Sequence, residues 1–273
     1  MIKSQKIPIF VDAHVHIQSI YNLSEYFDHV FYNFSEAAKK LDGSNTWIGF
    51  LLLTEVIGIN QFENLKRLQI VGNKQNYSIQ LTEENNSLKI ISESGNKIFV
   101  IAGKQIIAKD NIEVLALATE KNFEEGQDII ATLKKINNNN GIAVLPWGVG
   151  KWTCKRKEIV EKFLIEHKDE KFFLGDNSGR PKFWNEPQLF KIGNKTKHFV
   201  LPGSDALAIP SEVNKTASYG FYTYSDIDEK NPTESIKDIL KTLNKPPNYF
   251  GKLENPFSFF KNQLTMQLLK RTK

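Results

Sequence analysis

Two hydrophobic periods take turns along this chain, and the points where one gives way to the other mark its elements. Residues 9–17, Ile-Phe-Val-Asp-Ala-His-Val-His-Ile, read as a buried strand that ends in two histidines. Over residues 19–41 the period lengthens. Leu23, Tyr26, Phe27, Val30 and Phe34 recur at helical spacing, and Asp42-Gly43 closes the segment. Residues 47–53, Trp-Ile-Gly-Phe-Leu-Leu-Leu, are a continuous apolar run, the pattern of a strand covered on both faces, and Thr54-Glu55 follow it.

From 68 to 108 the runs become short and alternating. They occupy 68–71, 77–81, 88–91 and 98–101, with polar turns at Gly72-Asn73-Lys74, at 83–87 and at Ser94-Gly95-Asn96. This is the pattern of an antiparallel meander with one wet face, and it predicts an inserted β ribbon over 68–108 that covers a site or mediates self-association. The strand–helix rhythm then resumes, with strands at 112–117, 142–147, 172–176 and 198–202 and helices at 126–136 and 157–167. Two further helices are expected in the tail, one beginning at Thr233 and one over 256–269, whose Phe257, Phe260, Leu264 and Leu268 would pack on the body of the protein. Strands alternating with helices predict an α/β fold with a mainly parallel sheet. We expect one domain over 1–273, a TIM-like βα barrel with functional groups at the C-terminal ends of its strands.

Composition changes this picture little. The chain has 273 residues, 40% of them hydrophobic and 25% charged, as expected of a soluble globular protein. Its net charge of +5 is mild, and no basic stripe interleaves with aromatics, so nucleic acid is not an expected partner. The single cysteine, Cys154, rules out an internal disulfide and a cysteine-rich zinc site. No signal-peptide pattern opens the chain and no run reaches membrane-span length, so a cytoplasmic location and no membrane partner are expected.

The chemistry lies at the predicted strand ends. Residues two apart on a strand share a face, so His14 and His16 point the same way, with Asp12 one pair back. Neutral imidazole is the commonest metal ligand, and two on one rigid strand can grip an ion with little ordering cost. The bland reading of such a pair is two histidines that merely hydrogen-bond. Glu55, Gln105, Lys151, Asp176, Asn177, Arg180 and Asp205 stand at other strand ends, and a barrel would bring them to the same mouth. His14, His16 and Asp205 make a three-ligand set with a position left for water, while Lys151 and Arg180, with Asp176 beside it, can serve an anionic substrate.

These motifs, in order, resemble those of the PHP (polymerase and histidinol phosphatase) family of metal-dependent phosphoesterases. The resemblance runs from Phe10-Val11-Asp12-Ala13-His14-Val15-His16 through Thr54-Glu55-Val56, Gly103-Lys104-Gln105 and Val144-Leu145-Pro146 to Gly203-Ser204-Asp205-Ala206-Leu207. It implies a seven-stranded βα barrel and a metal site at His14, His16, Glu55, Gln105 and Asp205. Three positions where the family carries histidine are aliphatic here, Val56, Leu145 and Leu207, and Gln105 replaces a carboxylate. The resemblance therefore implies one divalent ion (Zn, Mn or Fe) in place of a multinuclear centre, and a small phosphate-containing substrate. Two rival readings stand beside this phosphoesterase. One is a catalytically silent PHP-like barrel that binds an anionic ligand or a protein partner. The other is an amidohydrolase-like metal hydrolase, which needs further histidines from central strands.

Overall fold

The computed structural model describes residues 7–68, 70–71 and 77–271; the turn expected at Gly72-Asn73-Lys74 lies outside them. Among the described residues there are thirteen strands and seven α-helices. In chain order the first part is β1 (Pro8–Val15), α1 (Leu23–Asp42), β2 (Ile48–Leu53), α2 (Gln61–Arg67), β3 (Ile70–Val71), β4 (Tyr77–Leu81), β5 (Ser87–Ile91), β6 (Lys97–Ile101), β7 (Gly103–Ala108) and β8 (Ile112–Leu117). There follow α3 (Ile129–Asn138), β9 (Ile142–Pro146), α4 (Cys154–Glu166), β10 (Phe173–Asn177), α5 (Gln188–Lys195), β11 (Val200–Gly203), β12 (Tyr219–Tyr224), α6 (Pro232–Lys241), β13 (Asn248–Gly251) and α7 (Pro256–Arg271).

The strands form two open sheets, not the closed barrel expected from the βα rhythm. The first has the order β13-β12-β1-β2-β6-β5-β4-β3 and the second the order β11-β10-β9-β8-β7. Two features of the chain prevent a parallel, closed ladder. First, β7 and β8 are joined by only Lys109–Asn111, with left-handed backbone at Asp110 and Asn111, and so form an antiparallel hairpin. Second, the tail contributes β12, which pairs antiparallel with β1 and occupies the edge that a barrel would need for closure. The expected ribbon is not an appendage either. Its last strand, β6, runs parallel to β2, so the meander is the outer half of the first sheet, while β7 belongs to the second.

The sheets face one another across a shared core. Ile9, Val11, Phe50 and Leu52 of the first sheet are buried with Leu115, Leu117, Val144 and Leu201 of the second. The outer face of the first sheet is covered by α1, whose Phe27, Val30 and Phe34 match the helical spacing in the sequence. Asn22 caps this helix by accepting from the Glu25 amide, and Gly43 ends it in the left-handed conformation. Helices α3, α4 and α5 cover the outer face of the second sheet through Leu133, Val160 and Phe190. In α7 the stripe expected to pack on the body is exposed, at Phe257, Phe260, Leu264 and Leu268, with Phe260 stacked on Phe183, whereas Phe259 and Asn262 are buried. Among the described residues no helix is long and apolar enough to cross a membrane.

Two glycines let the sheets touch. A Cβ on Gly103 would lie 2.2 Å from the Leu53 carbonyl oxygen of β2, and one on Gly203 would lie 2.3 Å from the His14 amide nitrogen of β1. Backbone cannot move aside as a flexible side chain can. Gly203→Ala is therefore expected to cost about 3 kcal/mol in urea unfolding, at the upper end for overpacking, and a loss below about 1 kcal/mol would show that the seam is not tightly packed.

Candidate metal centre

β1 ends at the middle of its sheet, and its last residues meet the loop after β11. The junction is built around Asp12, whose carboxylate is fully buried. Its Oδ1 accepts from the Ser204 amide at 2.8 Å and the His14 amide at 3.3 Å, and its Oδ2 accepts from the Ala217 amide at 2.8 Å. Burial pushes this carboxyl up to about 6, against the three amides, which favour the ionised form. Asp12 is thus a brace between the sheets and not a ligand, and the strand-face rule that grouped it with the histidines does not describe its role. One residue on, the Asp205 amide donates to the His14 carbonyl at 2.9 Å, with Asp205 held at φ 48°.

This junction brings three donor atoms together. His14 Nε2 and His16 Nε2 are 3.1 Å apart, and they lie 3.5 and 3.4 Å from Asp205 Oδ1. Two ligands on a tetrahedral ion, each bonded at about 2.0–2.1 Å, stand about 3.3–3.4 Å apart. The spacing and the donor set, two imidazoles and one carboxylate, therefore fit a divalent ion with one position open. The protonation states agree. Burial pushes the His14 imidazole down to about 3, so it is neutral at pH 7. Burial also pushes the Asp205 carboxyl up, but the two imidazoles and Lys151 outweigh it and hold this group below the usual carboxylate range. A metal requires a neutral imidazole and an ionised carboxylate. Asp205 Oδ2 accepts from Asn177 Nδ2 at 2.9 Å, which fixes the ligand's orientation from the end of β10.

The other residues named from the sequence fall into three groups. Glu55, Gln105 and Lys151 line the same cleft as His16 and Asp205. Glu55 is committed elsewhere: its Oε1 accepts from the Phe62 amide at 2.8 Å and its Oε2 from Lys104 Nζ at 2.9 Å. Asp176 and Arg180 form a buried two-bond pair, at 2.9 and 2.7 Å, and Tyr219 donates to the same carboxylate. Neither lines the cleft. Of the three aliphatic replacements, Val56 and Leu207 also line it, whereas Leu145 packs on the helix side of β9 with Leu133 and Val160. His198 stacks on Phe172 and bonds the Glu170 carbonyl, so it brings no further imidazole to the centre.

Glu113 was missed in the sequence. It accepts from Lys151 Nζ at 2.6 Å through Oε2, while its buried Oε1 has no hydrogen-bond partner. Burial pushes the Glu113 carboxyl up, with Lys151 opposing. For Lys151, burial is outweighed by Asp205 and Glu113, which hold its ammonium above the usual range. β8 runs antiparallel to β9, so its first residues lie where β9 finishes. Attention to the C-terminal ends of strands passes over a carboxylate placed at the start of one.

No protein-family model matches this chain, and no curated protein matches its sequence. Among solved structures, the crystal structure of the novel lesion-specific endonuclease PfuEndoQ from Pyrococcus furiosus aligns with a TM-score of 0.49 and 13% identity. The alignment covers 88% of this chain and 58% of that one, so the chain spans a little over half the length of its structural neighbour. The charge pattern set nucleic acid aside as a partner; the aligned protein is described as a lesion-specific endonuclease, and that exclusion is not kept.

Asn177→Ala leaves the three ligands in place and removes the bond that orients one of them. It is expected to weaken divalent-ion affinity by about 10–100-fold in calorimetric titration; unchanged affinity in a folded variant would show that Asn177 does not orient the ligand.

Proposed function

We propose that this chain is a single-metal hydrolase acting on phosphate esters. The observation that carries the reading is the convergence of His14 Nε2, His16 Nε2 and Asp205 Oδ1 at 3.1–3.5 Å. A divalent ion held by His14, His16 and Asp205 would supply Lewis acidity to a bound water and a substrate oxygen. The separations favour zinc, which takes nitrogen and oxygen ligands in a tetrahedron. The ordered PHP-like motifs point the same way and suggest phosphate as the group attacked.

The chain's own groups divide the remaining work. Asp12 and the Asp205–His14 backbone bond keep the ligands in register. Asn177 holds Asp205. Lys151, on the wall of the cleft and charged at neutral pH, attracts the phosphate, and Glu113 holds its ammonium. Asp176 and Arg180 support the loop after β10 and do not touch the anion. A second reading, a silent anion-binding site, draws on Val56 and Leu207, which put aliphatic surface where the family has ligands.

Protein purified without chelator or affinity-tag nickel is expected to carry about one equivalent of divalent metal and to release p-nitrophenol from p-nitrophenyl phosphate, with both lost in His14→Ala/His16→Ala. Lys151→Met is expected to raise KM about tenfold with kcat changed less, as for uniform anion binding. Phosphate bound with no turnover in metal-loaded protein would favour the silent reading. No metal in folded wild type would remove both the ion and the hydrolase.

A further inference from the structure

On the far side of Lys151 from the metal-ligand cluster lies a second cleft, of about 470 Å³, with four aromatic side chains among its lining residues, Trp147, Trp152, Phe183 and Trp184. We infer that it is a subsite for the planar base of a nucleoside phosphate whose phosphate sits at His14, His16 and Asp205. This rests on the hydrolase reading for the phosphate end only. The volume lies within the roughly 300–1,000 Å³ of small-molecule sites.

Its walls select for a flat ring. Trp147 and Trp184 both line the cleft, with their rings at 88° and centroids 6.1 Å apart. Trp184 is 39% exposed and offers its face to a stacked ring, while the buried Trp147 stands at right angles to it. A sugar can use only the face of one. Trp184 is held from behind by Phe259 at 5.5 Å, and Phe183 beside it stacks on Phe260, so the wall is braced by α7. Asn185 and Gln188 add carboxamides to the lining, each with the donor and acceptor that the edge of a base requires.

The two clefts share a wall. Gly148 lines the aromatic cleft, and a Cβ there would lie 2.5 Å from Lys151 Cδ, so the Lys151 stem lies directly over it. Lys151 itself lines the metal cleft. Asn177 Nδ2 donates both to the Trp147 carbonyl, at 3.0 Å, and to Asp205 Oδ2. The backbone of Trp147, in the lining of the aromatic cleft, is therefore only two hydrogen bonds from Asp205. Lys157 on the aromatic side and Lys151 on the other suit a ligand with an anionic end.

Three of the chain's four tryptophans, Trp147, Trp152 and Trp184, line this cleft, so intrinsic fluorescence reports its occupancy. Metal-free full-length protein is titrated with AMP, adenosine and ribose 5-phosphate. AMP and adenosine are expected to quench saturably, with AMP at least about tenfold tighter than ribose 5-phosphate. Trp184→Ala is expected to bring AMP down to the ribose 5-phosphate level. Lys157→Glu, an exposed change, is expected to weaken AMP and leave adenosine unchanged. Asn185→Ala provides a milder loss where removal of Trp184 disturbs α7. Equal binding of AMP and ribose 5-phosphate, or AMP binding unaffected by both Trp184→Ala and Asn185→Ala in folded protein, would overturn the subsite. Base-dependent quenching with no release of phosphate from AMP or of p-nitrophenol from p-nitrophenyl phosphate in metal-loaded wild type supports the subsite and ends the hydrolase reading. Release at equal kcat/KM from AMP and ribose 5-phosphate does the reverse.

Discussion

The arrangement depends on one buried carboxylate. Asp12 collects amides from its own strand, from Ser204 and from Ala217, and so ties the first sheet to the loop that carries Asp205. Each amide at such a junction would otherwise be a buried donor without a partner, and hydrogen bonds to a charged acceptor contribute about 1.5–3 kcal/mol apiece. The bonds also fix position. The Asp12 bond holds Ala217 at φ 63°, and the bond to the His14 carbonyl holds Asp205 at φ 48°, left-handed conformations that a free loop would leave. A candidate metal ligand held in this way would be in place before any ion arrived.

Glycine does the complementary work at the same seams. Gly103 and Gly203 remove the side chains that would hold the sheets apart, and backbone bonds then cross the gap, with the Glu55 amide donating to the Gly103 carbonyl and the Asp205 amide to His14. The protein thus gathers strand ends from two sheets into one mouth without closing a ladder between them. Phe183, Trp184 and α7 extend that mouth into an aromatic wall, beside which the sheets' own polar groups converge.

Much of this was legible in the chain. The spacing of Leu23, Tyr26, Phe27, Val30 and Phe34 marks α1, and the run at Ile48–Leu53 marks a strand covered on both faces. His14, His16 and Asp205 were readable as a set because their motifs have a fixed order. The closed barrel was not a sound inference. Strand–helix alternation does not give strand direction, and the sense of β8 depends on three linking residues, Lys109–Asn111, too few for a crossover α-helix. That reversal also hides Glu113. Similarly, Asp12, Asp176 and Arg180 have the residue types of catalytic groups, but whether a carboxylate faces a cleft or a set of buried amides depends on contacts with residues far away in sequence. For Asp12 those contacts are with Ser204 and Ala217.

Cobalt(II) offers the most direct test, since its visible spectrum reports both binding and geometry. If His14, His16 and Asp205 form one preorganised site, metal-free protein takes up one equivalent and shows the intense bands of four-coordinate cobalt. Those bands vanish in Asp205→Asn and in His14→Ala/His16→Ala while the circular dichroism of the fold is kept. Wild type that leaves cobalt with the weak spectrum of the aqueous ion, or bands that survive loss of both histidines, would contradict the site.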